Sequence, residues 1–187
     1  MPSSAWPVYV DPAHLYFITT RAVQRAHIFQ RDLVKRILID SLNTGRIMGH
    51  YDLLAYVVMP NHIHLILRCL GEHTPGQIVG AFKKATAHLI LRQYEVEGNE
   101  SALAFCAAAV PPQQKQNYIV WAHEYQAKNV YSAAFLRQKL DYIHNNPVQP
   151  HWQLAETPEQ YMWSSARFYA GEGRALLPLS DARELLE

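Results

Sequence analysis

Two imidazoles stand one residue apart in the stretch VVMPNHIHLILR, residues 57–68, where they interrupt an otherwise apolar run. The run is rich in Ile, Leu and Val and reads as a buried strand. In a strand, residues i and i+2 share a face. His62 and His64 therefore project side by side, about 7 Å apart at the backbone, and Ile63 points the other way. That spacing suits two imidazoles converging on one divalent ion, whose bonds to nitrogen are about 2.0–2.1 Å in the zinc case. A plainer account makes each histidine a hydrogen-bonded residue of the sheet. Two histidines leave a metal site incomplete, so a third ligand and a group able to do chemistry are expected elsewhere.

The stretch LDYIHNNPV, residues 140–148, offers both. On a helix i and i+4 share a face, which relates Tyr142 to Asn146. Asn146 brings a carbonyl oxygen, a hard ligand suited to Mg²⁺ or Mn²⁺. Tyr142 brings a phenol one turn earlier, within reach of whatever that ion polarises. His144 lies on another face and is not a candidate ligand. The plainer account here is that Tyr142 fills the core and Asn146 is the helix C-cap before Pro147.

The elements that must position these groups follow from the pattern. Residues 14–23 read as a strand, and 31–45 as a helix for which Gly45 is a plausible stop. Residues 51–59 and 62–70 are two strands joined by a Pro-Asn turn, so they must pair antiparallel. A second helix is expected over 74–98, capped by Thr74 with Pro75 at its first position. Residues 98–117 lose periodicity and read as an irregular excursion. A further strand lies within 118–131. The helix carrying Tyr142 starts at Ser132 and cannot continue through Pro147. The first six elements match a ferredoxin-like βαββαβ fold, an α+β antiparallel sheet with helices on one face. The helix of Tyr142 can then lie across the open face, which the histidines could use.

The chain has 187 residues, 49% hydrophobic and 18% charged, which fits one domain over 1–187 with a core at about 14–150 and a turn-rich tail at 151–187. No apolar run is long enough to span a membrane, and the opening MPSSAWPVYVDPAH does not read as a secretion signal. Two cysteines without metal-like spacing fit a reducing cytoplasm. The net charge of +1 announces no nucleic-acid partner, but residues 21–36 carry five Lys/Arg against one Asp. That basic front is a solvated helix face or a phosphate-facing surface.

Four blocks together carry a resemblance: AYVVMPNHIHLIL, FKKATAH, LDYIHNNPV and PEQYMWSSARFY. They resemble the single-tyrosine transposases of the HUH class. More narrowly, they resemble the REP-associated tyrosine transposases, relatives of the insertion-sequence-200-like enzymes. The likeness runs over roughly residues 14–170, with the blocks in the family's order. It implies that His62 and His64 bind a divalent ion, Mg²⁺ or Mn²⁺, that grips the scissile phosphate of single-stranded DNA. It implies that Tyr142, in the DYI element, is the nucleophile, and that Asn146 completes the metal site. Attack by the phenol would leave a 5′-phosphotyrosine and a free 3′-hydroxyl, and rejoining would need no ATP. A phenol with a pKa near 10 is a poor nucleophile at neutral pH, so the cation would lower the cost of its phenolate. The stretch VWAHEYQAKNVYS departs from the family's Trp-Gln-rich pattern, so no contact is carried over from it.

Arg21, Arg25, Lys83 and Lys84 are candidates for phosphate contacts with a DNA hairpin, or are ordinary surface charge. The expected protein is a cytoplasmic, nucleoid-associated monomer or homodimer that cuts and rejoins single-stranded, hairpin-forming DNA. The rival functions are a hairpin-binding module that no longer cuts and a metal-dependent phosphoesterase of a small substrate.

Overall fold

A computed structural model describes residues 15–186. β1 (Leu15–Ala22), β2 (Tyr51–Val58), β3 (His62–Cys69) and β4 (Trp121–Val130) make one sheet in the order β2-β3-β1-β4. Every pairing is antiparallel. The Pro60–Asn61 turn forces the β2–β3 pairing, and Met59 N–H closes it on the His62 carbonyl at 2.8 Å. α1 (Asp32–Ile47) joins β1 to β2, and α2 (Pro75–Val96) follows β3. The ferredoxin-like arrangement expected from the sequence is the one observed. His14, the first residue of the first expected strand, and the opening stretch lie outside the described residues.

Thr74 and Gln77 form a reciprocal capping box at the start of α2, with Pro75 in its first turn. Ser132 Oγ accepts from Phe135 N–H at 3.2 Å and starts α4 (Ala133–Asn145). Between α2 and β4 the irregular excursion expected over 98–117 is corrected. It contains α3 (Glu100–Ala108), capped by Asn99 Oδ1, which accepts from Ala102 N–H. Alanine is the strongest helix former. Only Cys106 of this helix is buried, so the sequence shows no amphipathic period.

α1 also runs past Gly45, and the chain turns at Gly49 with φ 73°. Gly45 is explained by packing instead. A Cβ there would stand 2.9 Å from the ring of Tyr51, which is buried and donates its phenol O–H to the Leu42 carbonyl at 2.8 Å. Gly80 on α2 has nothing within 4 Å of such a Cβ. The two therefore respond oppositely to alanine. Gly80→Ala is expected to stabilise by about 0.5–1 kcal/mol through helix propensity. Gly45→Ala loses that gain to overpacking of about 1–3 kcal/mol, so it melts lower. Thermal melts of both variants check the pair.

The helices divide between the faces of the sheet. Tyr51 on β2 reaches α1, and Lys83 of α2 lies over the ring of Tyr125, which pairs with Thr20. α1 and α2 thus cover the face shared by Thr20, Ile63 and Leu65. The opposite face carries Phe17, Thr19, His62 and His64, and α4 packs there, with Tyr142 against Phe17. Ile63 is fully buried beneath the two-helix layer.

The tail after α4 is turn-rich, as expected, but it closes the free edge of β2. Val58 N–H donates to the Trp163 carbonyl at 2.9 Å, Ser165 N–H to Tyr56 at 3.0 Å, and Ser180 N–H to Leu53 at 2.9 Å. Tyr161 and Tyr169 donate their phenol groups to the Val58 and Leu54 carbonyls, both at 2.8 Å. Ser165 Oγ also lies 2.9 Å from His144 Nε2, which ties α4 to this edge. Among the described residues no helix is long and apolar enough to cross a membrane.

Candidate active site

Register decides what meets on the open face. β1 and β3 pair so that Thr19 stands opposite His64 and Arg21 opposite His62. The imidazoles of His62 and His64 lie with ring centroids 4.7 Å apart. His64 is 3% exposed. Its ring stacks on Phe17 at 5.3 Å and meets the edge of Tyr142 at 5.1 Å. α4 delivers Tyr142 and Asn146 from one side, and the chain remains helical at Asn146 (φ −58°, ψ −45°). The two stretches singled out in the sequence therefore converge within a single chain.

Each histidine is held by its Nδ1. His62 Nδ1–H donates to Asn61 Oδ1 at 2.6 Å, since that oxygen can only accept. His64 Nδ1 lies 2.8 Å from Thr19 Oγ1. In the tautomer that donates from Nδ1, each Nε2 keeps a free lone pair. Among the described residues, His64 Nε2 and Asn146 Oδ1 are buried without a hydrogen-bond partner. Such orphaned acceptors are costly unless something fills the space between them.

Burial is the largest influence on both rings. It pulls His62 down to about 4, helped by the charge of Arg21 and opposed by the nearby Asn146 amide. It pulls His64 well below the usual imidazole value, with the charges of His62, Arg21 and Lys139 adding to it. Both rings are neutral at neutral pH, the form that ligates a cation. Among the described residues no three His, Cys, Asp or Glu side chains gather as a metal site. The donor set here is two imidazoles and a carboxamide oxygen, and its unpartnered atoms fit a divalent ion. The Nδ1 partners are the outer groups that orient such ligands.

Tyr142 is 48% exposed, and its Oη makes no hydrogen bond among the described residues. It opens on a cleft of about 390 Å³ lined by Arg21, Arg25, Asn61, His62, His64, Asn146, Gln149, His151 and Trp152. Arg21 and Arg25, candidates from the basic front, thus reach the site. Gln24 and Arg25 hold φ of 52° and 55°, a strained conformation for side-chain-bearing residues. Asn61 Nδ2 donates to the Arg25 carbonyl at 3.1 Å and fixes that turn.

Lys83 and Lys84 are not brought to the site. Lys83 Nζ donates to the carbonyls of Ala122, His123 and Glu124 at 2.9–3.2 Å, and burial lowers it to about 8. It anchors β4 on the far face, where the exposed Lys84 also lies. Sequence reading missed Thr19, Asn61 and Trp152. Thr19 is a polar break in the strand LYFITTR, and Asn61 lies in the turn. Trp152, 5.8 Å from His62, sits in the tail where no local pattern marks it.

Comparison with known proteins adds the following. A family model described as transposase, IS200-like, matches residues 12–146. A solved REP-associated tyrosine transposase bound to a REP hairpin is 20% identical. It superposes with a TM-score of 0.60 over 94% of this chain and 88% of its own, a likeness of fold. A candidate transposase from Deinococcus radiodurans R1 is 24% identical over 74% of this chain and 93% of its own, with a TM-score of 0.46. None of the curated proteins matches the chain significantly.

Proposed function

The chain belongs to the IS200-like transposase family, and on that ground we propose that it cuts and rejoins single-stranded, hairpin-forming DNA with Tyr142 as the nucleophile. One observation carries the reading. Two histidines of β3 meet Tyr142 of α4 and its C-cap Asn146 on one face, with acceptors of His64 and Asn146 that have no partner among the described residues beside an exposed phenol that makes no hydrogen bond there. The fold is shared with a REP-associated transposase that was solved bound to a hairpin, and this supports the narrower assignment.

In this reading His62, His64 and Asn146 would hold Mg²⁺ or Mn²⁺. That ion supplies charge neutralisation at the scissile phosphate and eases loss of the phenol proton. Tyr142 Oη attacks phosphorus, the P–O3′ bond breaks, and the departing 3′ oxygen ends protonated. The products are a 5′-phosphotyrosine and a 3′-hydroxyl. One phosphodiester is exchanged for another, so the reverse attack by a 3′-hydroxyl reseals a strand without ATP. Arg21 and Arg25 face the same cleft and position the DNA backbone through its phosphates. Phe17 and the β1–β3 ladder fix the imidazoles, and the bond from His144 to Ser165 fixes the helix that presents the phenol. Such a protein acts in the cytoplasm, on the nucleoid.

The test is a labelled hairpin with single-stranded flanks, incubated with protein and Mg²⁺ or Mn²⁺. The expected result is a covalent protein–DNA adduct with an equal yield of free 3′-hydroxyl ends. A gel shift without adduct would make the protein a hairpin-binding module. Neither adduct nor shift, with turnover of a small phosphate ester, would make it a phosphoesterase.

A further inference from the structure

The outer face of α4 carries more than the nucleophile. Tyr131, just before the helix, is 76% exposed and stacks on Phe135 with ring centroids 5.1 Å apart and planes 15° apart. Lys139, one turn on, places its ammonium 5.0 Å from the Phe135 centroid, 4.9 Å from Phe17 and 5.5 Å from Tyr142. Lys128 on β4 pairs opposite Phe17, so it projects on this same face. Neither lysine has a carboxylate partner among the described residues. Burial and then the charge of Lys128 lower the pKa of Lys139, as expected of two cations that lack an acid. The result is a continuous stripe, Tyr131–Phe135–Lys139–Tyr142, of aromatic faces and positive charge. Phe135 and Tyr142 are seven residues apart, about 10 Å along the axis.

We propose that this stripe is the track on which the single strand flanking the scissile phosphate lies as it reaches Tyr142. Tyr131 and Phe135 stack bases, and Lys139 and Lys128 hold phosphates. The proposal rests on the function argued above. A lone exposed aromatic residue would need no explanation. Here an exposed ring stacks on a half-buried one, beside two cations that have no carboxylate partner among the described residues, in line with the candidate nucleophile. Aromatic faces interleaved with positive charge bind single-stranded nucleic acid without demanding a sequence.

The test uses the full chain with Tyr142→Phe, so that binding is read without cutting. Two hairpins are compared. One is blunt, and the other carries a single-stranded extension of about ten nucleotides, on either side in turn. Tyr131→Ala/Phe135→Ala is expected to weaken binding of the extended hairpin by about tenfold or more and to leave the blunt one unchanged. Tyr131→Leu/Phe135→Leu, which keeps apolar bulk and removes the π-faces, is expected to do the same with an unaltered melt. Lys139→Ala is expected to reduce the slope of log K against log salt by about 0.7, and Lys139→Arg to preserve it. Equal binding of the extended hairpin by parent and ring variants would overturn the track and leave the function standing. So would a dimer in solution that the ring variants split, because the stripe would then be covered by a second copy. A parent that binds neither hairpin would overturn the functional reading itself.

Discussion

Tyr142→Phe is expected to abolish the covalent adduct and strand cleavage while leaving hairpin affinity within about twofold, below 1 kcal/mol. The change removes one oxygen. That oxygen makes no hydrogen bond among the described residues and belongs to a side chain about half exposed, so no buried partner is orphaned. The ring keeps its edge contacts with Phe17 at 5.9 Å and His64 at 5.1 Å. The melting temperature should therefore hold, which separates lost chemistry from lost fold. The other candidate phenols are otherwise engaged or distant. Tyr161 and Tyr169 donate to strand carbonyls, and burial raises both, Tyr169 to about 12. Tyr51 is closed onto Leu42 on the opposite face. Tyr131 is exposed but stacks on Phe135, at the far end of the helix from Asn146. Adduct formation by the Phe variant, or peptide mapping of the DNA to another tyrosine, would end the assignment of Tyr142.

What the sequence disclosed about this site was its local geometry. The i, i+2 spacing of His62 and His64 put both rings on one face, because pleat alternation depends on nothing beyond the strand. The i, i+4 spacing of Tyr142 and Asn146 survived because Asn146, although α4 ends at Asn145 and a 3-10 turn begins, keeps right-handed helical dihedrals as the C-cap. What it concealed was long-range. Thr19 reaches His64 across 45 residues through the β1–β3 register, and no local period records a register. Lys83 looked like a phosphate contact because it sits in a basic pair, but it is drawn under β4 by three carbonyls about 40 residues away. α3 went unread because a helix that buries only Cys106 has no apolar stripe, although its alanines favour helix in any context. Gly45 was legible as a helix stop only by convention. Its actual constraint is the Tyr51 ring on the next strand.

His62→Ala/His64→Ala is expected to eliminate Mn²⁺ binding in calorimetry and, with it, cleavage of the flanked hairpin. The loss should be graded by distance from the ion. Thr19→Val exchanges the hydroxyl beside His64 Nδ1 for a methyl group and should weaken Mn²⁺ by about 10–100-fold, the usual cost of deleting an orienting partner. Asn146→Asp replaces a neutral oxygen donor by a charged one, so it should bind Mn²⁺ more tightly and gain more melting temperature on adding the ion than the parent does. Asn146→Ala should do the reverse, and because Asn146 Oδ1 has no hydrogen-bond partner among the described residues, it should not lower the melt of the ion-free chain by stranding one. Position in the chain adds a second test. Tyr142 and His64 touch within one chain, so mixing Tyr142→Phe with His62→Ala/His64→Ala should restore no adduct. Recovery in the mixture would mean that the tyrosine helix serves a partner's histidines. Mn²⁺ binding by the double histidine variant at the parent's affinity would place the ligands elsewhere, and the convergence of β3 and α4 would then need a different explanation.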